Sequence, residues 1–203
     1  MISGNQGYRE EADEFVKRSE RIPFDEKHRH VLHLIPRDPC RVLDIGSGSG
    51  ADADHFAALG HRVVAVEPTD ELRLAAIALH PSERIDWGND SLPNLSWTRS
   101  RNQRFDLVMI SAVWMHLNDS ERQIGMPNVA SLIHPGGTLL LSLRHGPVPP
   151  TKLMFEVSAD ETIQLAQVQG LSLVLKVDAD SIQEANRQAG VTWSHLAFVR
   201  ATN

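Results

Sequence analysis

The chain has 203 residues, 41% of them hydrophobic, which is enough to bury a sizeable core. Its formal net charge of −6 disfavours a non-specific nucleic-acid binder, which needs a basic face. A single cysteine, Cys40, excludes an internal disulfide framework and suits a reducing cytosol. No run approaches the ~18 apolar residues of a membrane span, and residues 1–6 carry no apolar signal core. The expectation is one cytoplasmic domain over 1–203, monomeric or homodimeric, with no membrane partner.

In chain order, residues 10–19 place Ala12, Phe15 and Val16 among charges, the pattern of a short amphipathic helix. Phe24 opens a second helix carrying Val31, Leu32, Leu34 and Ile35, stopped by Pro36. These two form an N-terminal helical cap over 1–37. His28, His30 and His33 fall on the second helix, where no acid or cysteine cluster completes a metal site, so they read as a solvated face. The first strand covers 41–45, followed by a helix over 51–59 closed by Gly60. A second strand covers 62–66, and Thr69 or Asp70 caps a helix over 71–79. A short third strand lies at 85–87, where Trp87 either stacks on a ligand or is buried.

Residues 91–103 are polar and ambiguous, and the Arg99, Arg101 and Arg104 trio reads as surface. A fourth strand covers 105–110. Residues 118–133 are mostly helical, disturbed by Gly125 and Pro127, and a fifth strand covers 138–143. Beyond the irregular stretch 146–150, a helix at 162–168 precedes strands at 171–176 and 191–199, with a polar linker over 177–190. Apolar strands alternating with helices predict a parallel sheet covered on both faces.

The most informative stretch is Val42-Leu43-Asp44-Ile45-Gly46-Ser47-Gly48-Ser49-Gly50, an apolar run opening into three alternating glycines. A second apolar run, Val63-Val64-Ala65-Val66, ends on Glu67. Strand, glycine turn, helix, strand and acid together make half of a nucleotide-binding α/β sheet. An acid at the second strand's tip is placed to accept hydrogen bonds from two ribose hydroxyls. The spacing Gly46-x-Gly48-x-x-Ala51 also satisfies a dinucleotide fingerprint, so a nicotinamide-dependent oxidoreductase is an alternative. Asp44 argues against it. A carboxylate beside the turn repels a pyrophosphate but tolerates an ammonium or sulfonium.

The pattern Asp44-x-Gly46-x-Gly48-x-Gly50 followed by Glu67 resembles the class I S-adenosylmethionine-dependent methyltransferases. Asn89-Asp90-Ser91-Leu92-Pro93 is similar to that family's adenine-contacting turn. Residues 105–110 are similar to its fourth strand, and Leu132-Ile133-His134-Pro135-Gly136-Gly137 to the turn into its fifth. The resemblance covers residues 38–145 and, more weakly, the tail 146–203. It implies a Rossmann-like, doubly wound, mostly parallel seven-stranded sheet whose antiparallel last strand inserts beside the fifth. It implies S-adenosylmethionine as cofactor, held by Asp44, Gly46, Ser47, Gly48, Gly50, Glu67, Pro68, Asn89, Asp90, Ser91, Ser111 and Ala112.

The ends of strands four and five converge on the edge where open α/β sheets place ligands. Trp114, His116, Arg144 and His145 are therefore candidate substrate contacts, with His116 or His145 as the candidate general base. Ser111-Ala112-Val113-Trp114 lacks the Asn/Asp-Pro-Pro-Tyr/Phe turn carried at this place by enzymes that methylate exocyclic amines of DNA bases or protein glutamine. Tyr8, a further candidate substrate contact, and the helix of Phe15 are candidate lid elements, because the resembled family often closes its N-terminal segment over the cofactor's methionine end. The expected function is methyl transfer to a small-molecule oxygen, nitrogen or sulfur. A cofactor-binding partner protein without turnover is a further alternative.

Overall fold

The computed structural model describes residues 7–202, so the polar leader at 1–6 lies outside the described residues. The chain folds in the order α1 (Ala12–Ser19), α2 (Phe24–Lys27), β1 (Arg41–Ile45), α3 (Ala51–Ala58), β2 (Arg62–Val66), α4 (Asp70–Leu79), β3 (Ile85–Gly88), α5 (Ser96–Ser100) and β4 (Phe105–Ile110). It continues with α6 (Asp119–Ser131), β5 (Ile133–His145), α7 (Ala159–Val168), β6 (Leu171–Asp180), α8 (Glu184–Gln188) and β7 (Thr192–Arg200). The seven strands form one sheet in the order β3-β2-β1-β4-β5-β7-β6. The pairings from β3 through β5 are parallel, and β7 runs antiparallel to both β5 and β6. This is the predicted doubly wound sheet with its inverted last strand.

The continuous apolar runs are explained by two cores, one on each face. Leu43, Ile45, Val64, Val66, Val108, Ile110, Leu139 and Leu141 point to one side, where Trp114, Met126 and Val129 cover them. Val42, Val63, Ala65, Leu107, Met109 and Leu140 point to the other, beneath Val31, Ala53 and Phe56. A strand covered on both faces needs apolar residues at every position rather than every second one.

Three predicted elements differ from those observed. The second N-terminal helix is one turn of α-helix, followed by turns and a 3-10 turn over Leu32–Leu34. His28, at its C-terminal cap, is only 4% exposed and bonds to Asp52 of α3, so tertiary pairing replaces the helical continuation. The strand β5 begins earlier than expected. Phe105 pairs with Ile133 and Leu107 with Thr138, so residues 134–137 bulge between the two rungs. The polar stretch 177–180 continues β6 instead of opening a loop, because every residue from Leu175 to Asp180 finds a partner on β7.

Helix α6 runs through Gly125 and Pro127. Its start is fixed by a capping box. The Asn118 side chain accepts from the Glu121 N–H, and the Glu121 carboxylate accepts from the Asn118 N–H. Buried Arg122 then ties α6 to α7. Its Nε donates to Glu161 Oε1 at 2.9 Å and a terminal nitrogen to Oε2 at 3.0 Å. The same side chain also bonds the Leu117 carbonyl and Asp119. Such a bidentate pair fixes orientation as well as proximity.

Candidate active site

The end of β1 and the turn after it are built by backbone geometry. Gly46, Gly48 and Gly50 all have positive φ, at 73°, 56° and 86°. The Gly46 and Ser47 N–H groups donate to the Val66 carbonyl, which holds the turn against β2. A Cβ on Gly46 would meet Val113 at 2.5 Å, and one on Gly48 would meet the Phe15 ring at 3.0 Å. Glycine is therefore required both by conformation and by space. Gly50 serves packing: a Cβ there would meet the Trp87 ring at 2.6 Å, so Trp87 lies under the turn and Gly50 does not line the cavity.

Above this turn lies a cavity of about 290 Å³, near the lower end of small-ligand sites. Of the residues expected to hold a cofactor, Asp44, Gly46, Ser47, Gly48, Glu67 and Pro68 line it. Asp90, Ser91, Ser111 and Ala112 line it from the neighbouring strand ends. Asn89 is exposed and does not. Ala112 has φ +59 and donates its N–H to Ser142 Oγ at 2.9 Å. A non-glycine residue in the left-handed region is a strained position, of the kind that gathers at ligand sites.

Three carboxylates give the cavity its chemistry. Glu67 is buried, its Oε2 accepting from the Gly48 N–H at 3.0 Å and its Oε1 from the Thr69 N–H at 2.8 Å. Burial pushes its pKa up, against the pull of those N–H groups. Asp90 is anchored by Thr98, whose N–H and hydroxyl both donate to Oδ2. Asp44 is 2% exposed, and its Oδ2 has no hydrogen-bond partner. Burial, and the charges of Asp52 and Glu67, push the Asp44 carboxyl up. Ser47 Oγ is likewise buried and unpartnered. Orphaned buried oxygens are costly unless a ligand completes them. An unpartnered carboxyl oxygen at Asp44, which a cation would draw into its ionised form, and an acid at the tip of β2 fit a ligand that brings an ammonium and a ribose.

The N-terminal segment closes over this cradle. Tyr8 and Phe15 line the cavity, packed edge to face with centroids 5.4 Å apart. The Tyr8 hydroxyl lies 3.0 Å from His116 Nε2. His116 Nδ1 lies 2.7 Å from the Leu153 carbonyl, which can only accept, so Nδ1 carries the proton and Nε2 accepts from Tyr8. Burial holds the His116 imidazole below its ordinary pKa, with Lys152 and Arg144 adding to the effect. Burial and the Glu67 charge push Tyr8 up to about 12. The Lys152 ammonium sits 3.9 Å from the Tyr8 ring centroid, donates to the Gly7 carbonyl at 2.5 Å and pairs with Glu11 at 2.9 Å.

Three expected substrate contacts stand elsewhere. Trp114 is fully buried in the core beneath α6, its ring packed beside Gly125. His145 lies outside the main cavity. Its Nε2 is 2.9 Å from Ser194 Oγ, which donates to Asp178 at 2.6 Å. Arg144 does not line the cavity either, although its charge reaches Tyr8 and His116. They occupy the last two rungs of β5, Arg144 opposite Trp193 and His145 opposite Thr192.

Of the histidines read as a solvated face, His33 is exposed, but the other two are not solvated surface. His28 and His30 line the cavity. Asp52 accepts from Lys27 at 2.7 Å and from His28 at 3.0 Å. Burial would raise the Asp52 pKa, but Lys27 and His28 together hold it well below the usual carboxylate range. The opposite wall carries Ser142, Gln183, Asn186, Trp193 and His195. None of these was singled out in the sequence, because they belong to segments without a motif. Among the described residues, no group of three or more His, Cys, Asp or Glu could hold a metal ion.

Fold and site together define a nucleotide-cofactor-binding α/β enzyme of the methyltransferase type. The sequence matches the methyltransferase domain family over residues 9–196, and the chain belongs to it. It is a class I S-adenosylmethionine-dependent methyltransferase domain, with S-adenosylmethionine as its cofactor. The nicotinamide alternative falls with that membership. The chain is 31% identical over 117 residues to the ubiquinone biosynthesis O-methyltransferase of Rhodopseudomonas palustris (strain BisB5), covering 56% of this chain and 44% of the relative. It is 25% identical over 172 residues to the glycine N-methyltransferase of Mus musculus, covering 73% of this chain and 59% of that one. The chain thus spans about half the length of these relatives. In fold it is similar to the 1,6-didemethyltoxoflavin-N1-methyltransferase of Burkholderia thailandensis, with a TM-score of 0.69 at 20% identity, covering 96% of this chain and 88% of the other. No helix among the described residues is long and apolar enough to cross a membrane.

Proposed function

We propose that the chain methylates a small molecule, within the cavity that Tyr8 and Phe15 close. The observation that carries this reading is the cavity itself. A cavity of about 290 Å³, narrowed by a segment held by Tyr8–His116 and Lys152–Glu11, is of a size that suits a small acceptor. The net charge of −6 also argues against a polyanionic acceptor. When bound, S-adenosylmethionine supplies an activated methyl group on a sulfonium.

In this reading Asp44 pairs with the cofactor's ammonium, Glu67 takes the ribose hydroxyls and Asp90 the adenine amino group. Gly46, Ser47 and Gly48 bring backbone close to the ligand without a side chain between. Pro68 and Ser91 shape the adenosine side of the cavity, and Ser111 and Ala112 its methionine side. Such residues contribute by alignment and by excluding water, which is most of what an in-line displacement asks of a protein. His116 has both ring nitrogens occupied, so its part is to hold Tyr8 over the site rather than to act as a free base.

The test is incubation with radiolabelled S-adenosylmethionine and three acceptor pools: small phenols and amines, transfer RNA, and denatured protein. Label entering only the small-molecule pool is expected. Label entering RNA or protein instead would overturn the reading. Binding of the cofactor with no transfer to any pool would favour a binding partner without turnover.

A further inference from the structure

The cavity continues beyond the cofactor cradle into a second lobe, between the His28–His30 segment and the start of β7. Sheet register explains its position. Ser142 on β5 is paired with His195 on β7, so both side chains project from the same face of the sheet, two rungs beyond Leu140 and Ala197. The lobe's walls are the rings of His30, His195 and Trp193 and the amides of Gln183 and Asn186.

The His30 and His195 ring centroids are 5.2 Å apart. Arg29 donates to His30 Nε2 at 2.9 Å, which fixes that ring. Neither ring nitrogen of His195 has a hydrogen-bond partner among the described residues, yet the ring lines the cavity. Burial, then His30, His28 and Arg29, push its pKa down to about 4, so it stands as a neutral imidazole with a lone pair available. The Gln183 carbonyl accepts from Asn186 Nδ2 at 3.2 Å, leaving a donor on Gln183 and an acceptor on Asn186 unused. Of the cations nearby, Lys27 is paired with Asp52, whereas Arg29 bonds the neutral His30 ring and keeps its charge. Asp180 adds a negative charge to the lobe's rim.

Resting on the small-molecule methyltransferase reading above, we infer that this lobe seats the methyl acceptor. The acceptor is a planar, uncharged ring carrying an O–H or ring N–H, which donates its hydrogen bond to His195. Three aromatic rings favour a flat ligand. Unused amide groups and one unpartnered imidazole favour a hydrogen-bonding one. The Asp180 carboxylate on the lining, which no cation pairs among the described residues, opposes an anion there.

The experiment uses the full chain saturated with S-adenosylhomocysteine and three probes of one ring system: 2-naphthol, 2-naphthoate and 2-methoxynaphthalene. At neutral pH phenols are un-ionised and carboxylates charged. 2-Naphthol should bind about tenfold more tightly than either of the others, the difference one good hydrogen bond makes. His195→Phe, which keeps a ring but loses the nitrogens, should weaken 2-naphthol by about tenfold. His195→Asn, which restores a hydrogen-bonding group, should recover part of that loss. Both variants should bind S-adenosylhomocysteine within about twofold of the native chain. Preference for 2-naphthoate, equal binding of all three probes, or 2-naphthol binding indifferent to His195→Phe would overturn the inference while leaving methyl transfer standing. Failure of the native chain to bind S-adenosylhomocysteine would overturn the methyltransferase reading itself.

Discussion

Tyr8 and His116 are 108 positions apart in the chain, yet the phenol donates to the imidazole at 3.0 Å. That bond joins the N-terminal segment to the turn after β4 across the mouth of the cavity. Because His116 Nδ1 is committed to the Leu153 carbonyl, only the neutral ring can receive it. Tyr8→Phe and His116→Ala should therefore act as one lesion. Each should weaken S-adenosylhomocysteine binding by about two- to tenfold, matching a bond worth ~0.5–1.5 kcal/mol. The double variant should be little worse than either single one. Titration calorimetry on the four proteins checks this, and strictly additive losses would show that the two residues act separately.

His145 makes its bond to Ser194 outside the main cavity. His145→Ala should leave cofactor affinity and turnover within about twofold, a difference of ~0.4 kcal/mol. A loss of tenfold or more in single-turnover rate would put His145 back among the reacting groups.

Glu67 accepts two backbone N–H groups and lines the adenosine side of the cavity. Glu67→Ala should weaken S-adenosylhomocysteine by about ten- to a hundredfold, the range of charge-assisted bonds at ~1.5–3 kcal/mol. The same variant should also lose stability, because Gly48 and Thr69 keep buried donors with no acceptor. An unchanged dissociation constant in a folded variant would remove Glu67 from the cofactor site.

Asp44 sets stability against binding. Its carboxyl is pushed up by burial and by Asp52 and Glu67. An acid whose pKa is higher folded than unfolded contributes most to stability below its unfolded value, near 4, and that contribution is lost as pH rises toward the folded value. Asp44→Asn should therefore gain on the native chain as pH is raised from about 5 to about 8, by ~1 kcal/mol or more. It should meanwhile bind S-adenosylhomocysteine about tenfold more weakly, for want of a carboxylate facing the ammonium. Urea melts at the two pH values, with calorimetry alongside, test both halves. A stability difference that does not change with pH would mean Asp44 is ionised throughout.

Gly48→Val should abolish tight cofactor binding for a reason that involves the lid. At φ +56 the new Cβ would meet the Phe15 ring at 3.0 Å. Adding Phe15→Ala should restore part of the affinity, while the left-handed backbone penalty of ~1–2 kcal/mol remains. If the second substitution restores nothing, the damage lies in the turn alone.

The donor half of the site was legible because its chemistry is local. Asp44, the glycines and Glu67 sit at strand ends that apolar runs mark clearly, and the boundaries of β1, β2 and β4 follow from them. The tail's two strands were legible from their own runs and the antiparallel insertion through resemblance, but not the continuation of β6 through residues 177–180. What pairs them is β7, which arrives later in the chain. Trp114 and His145 were misplaced for a related reason. Proximity to a strand end gives the edge of the sheet but not which face a side chain takes. His28 and His195 carry no motif at all. Their meaning comes from a 5.2 Å ring contact at His30 and a buried carboxylate at Asp52, neither of which has a sequence signature.

The inverted direction of β7 divides the cavity's origin along the chain. Strands β1 through β5 present their C-terminal ends to the ligand edge, whereas β7 presents its start. The segment entering β7, with Gln183 and Asn186, is thereby delivered to the same edge as the glycine turn. One wall is written mainly in residues 44–112 and the facing one mainly in residues 180–195, joined by His30 and Ser142. Between them in the chain stand β5 and the Arg122–Glu161 clasp. A lineage could thus rewrite the second wall, and so the molecule it accepts, without altering a single residue that holds the donor.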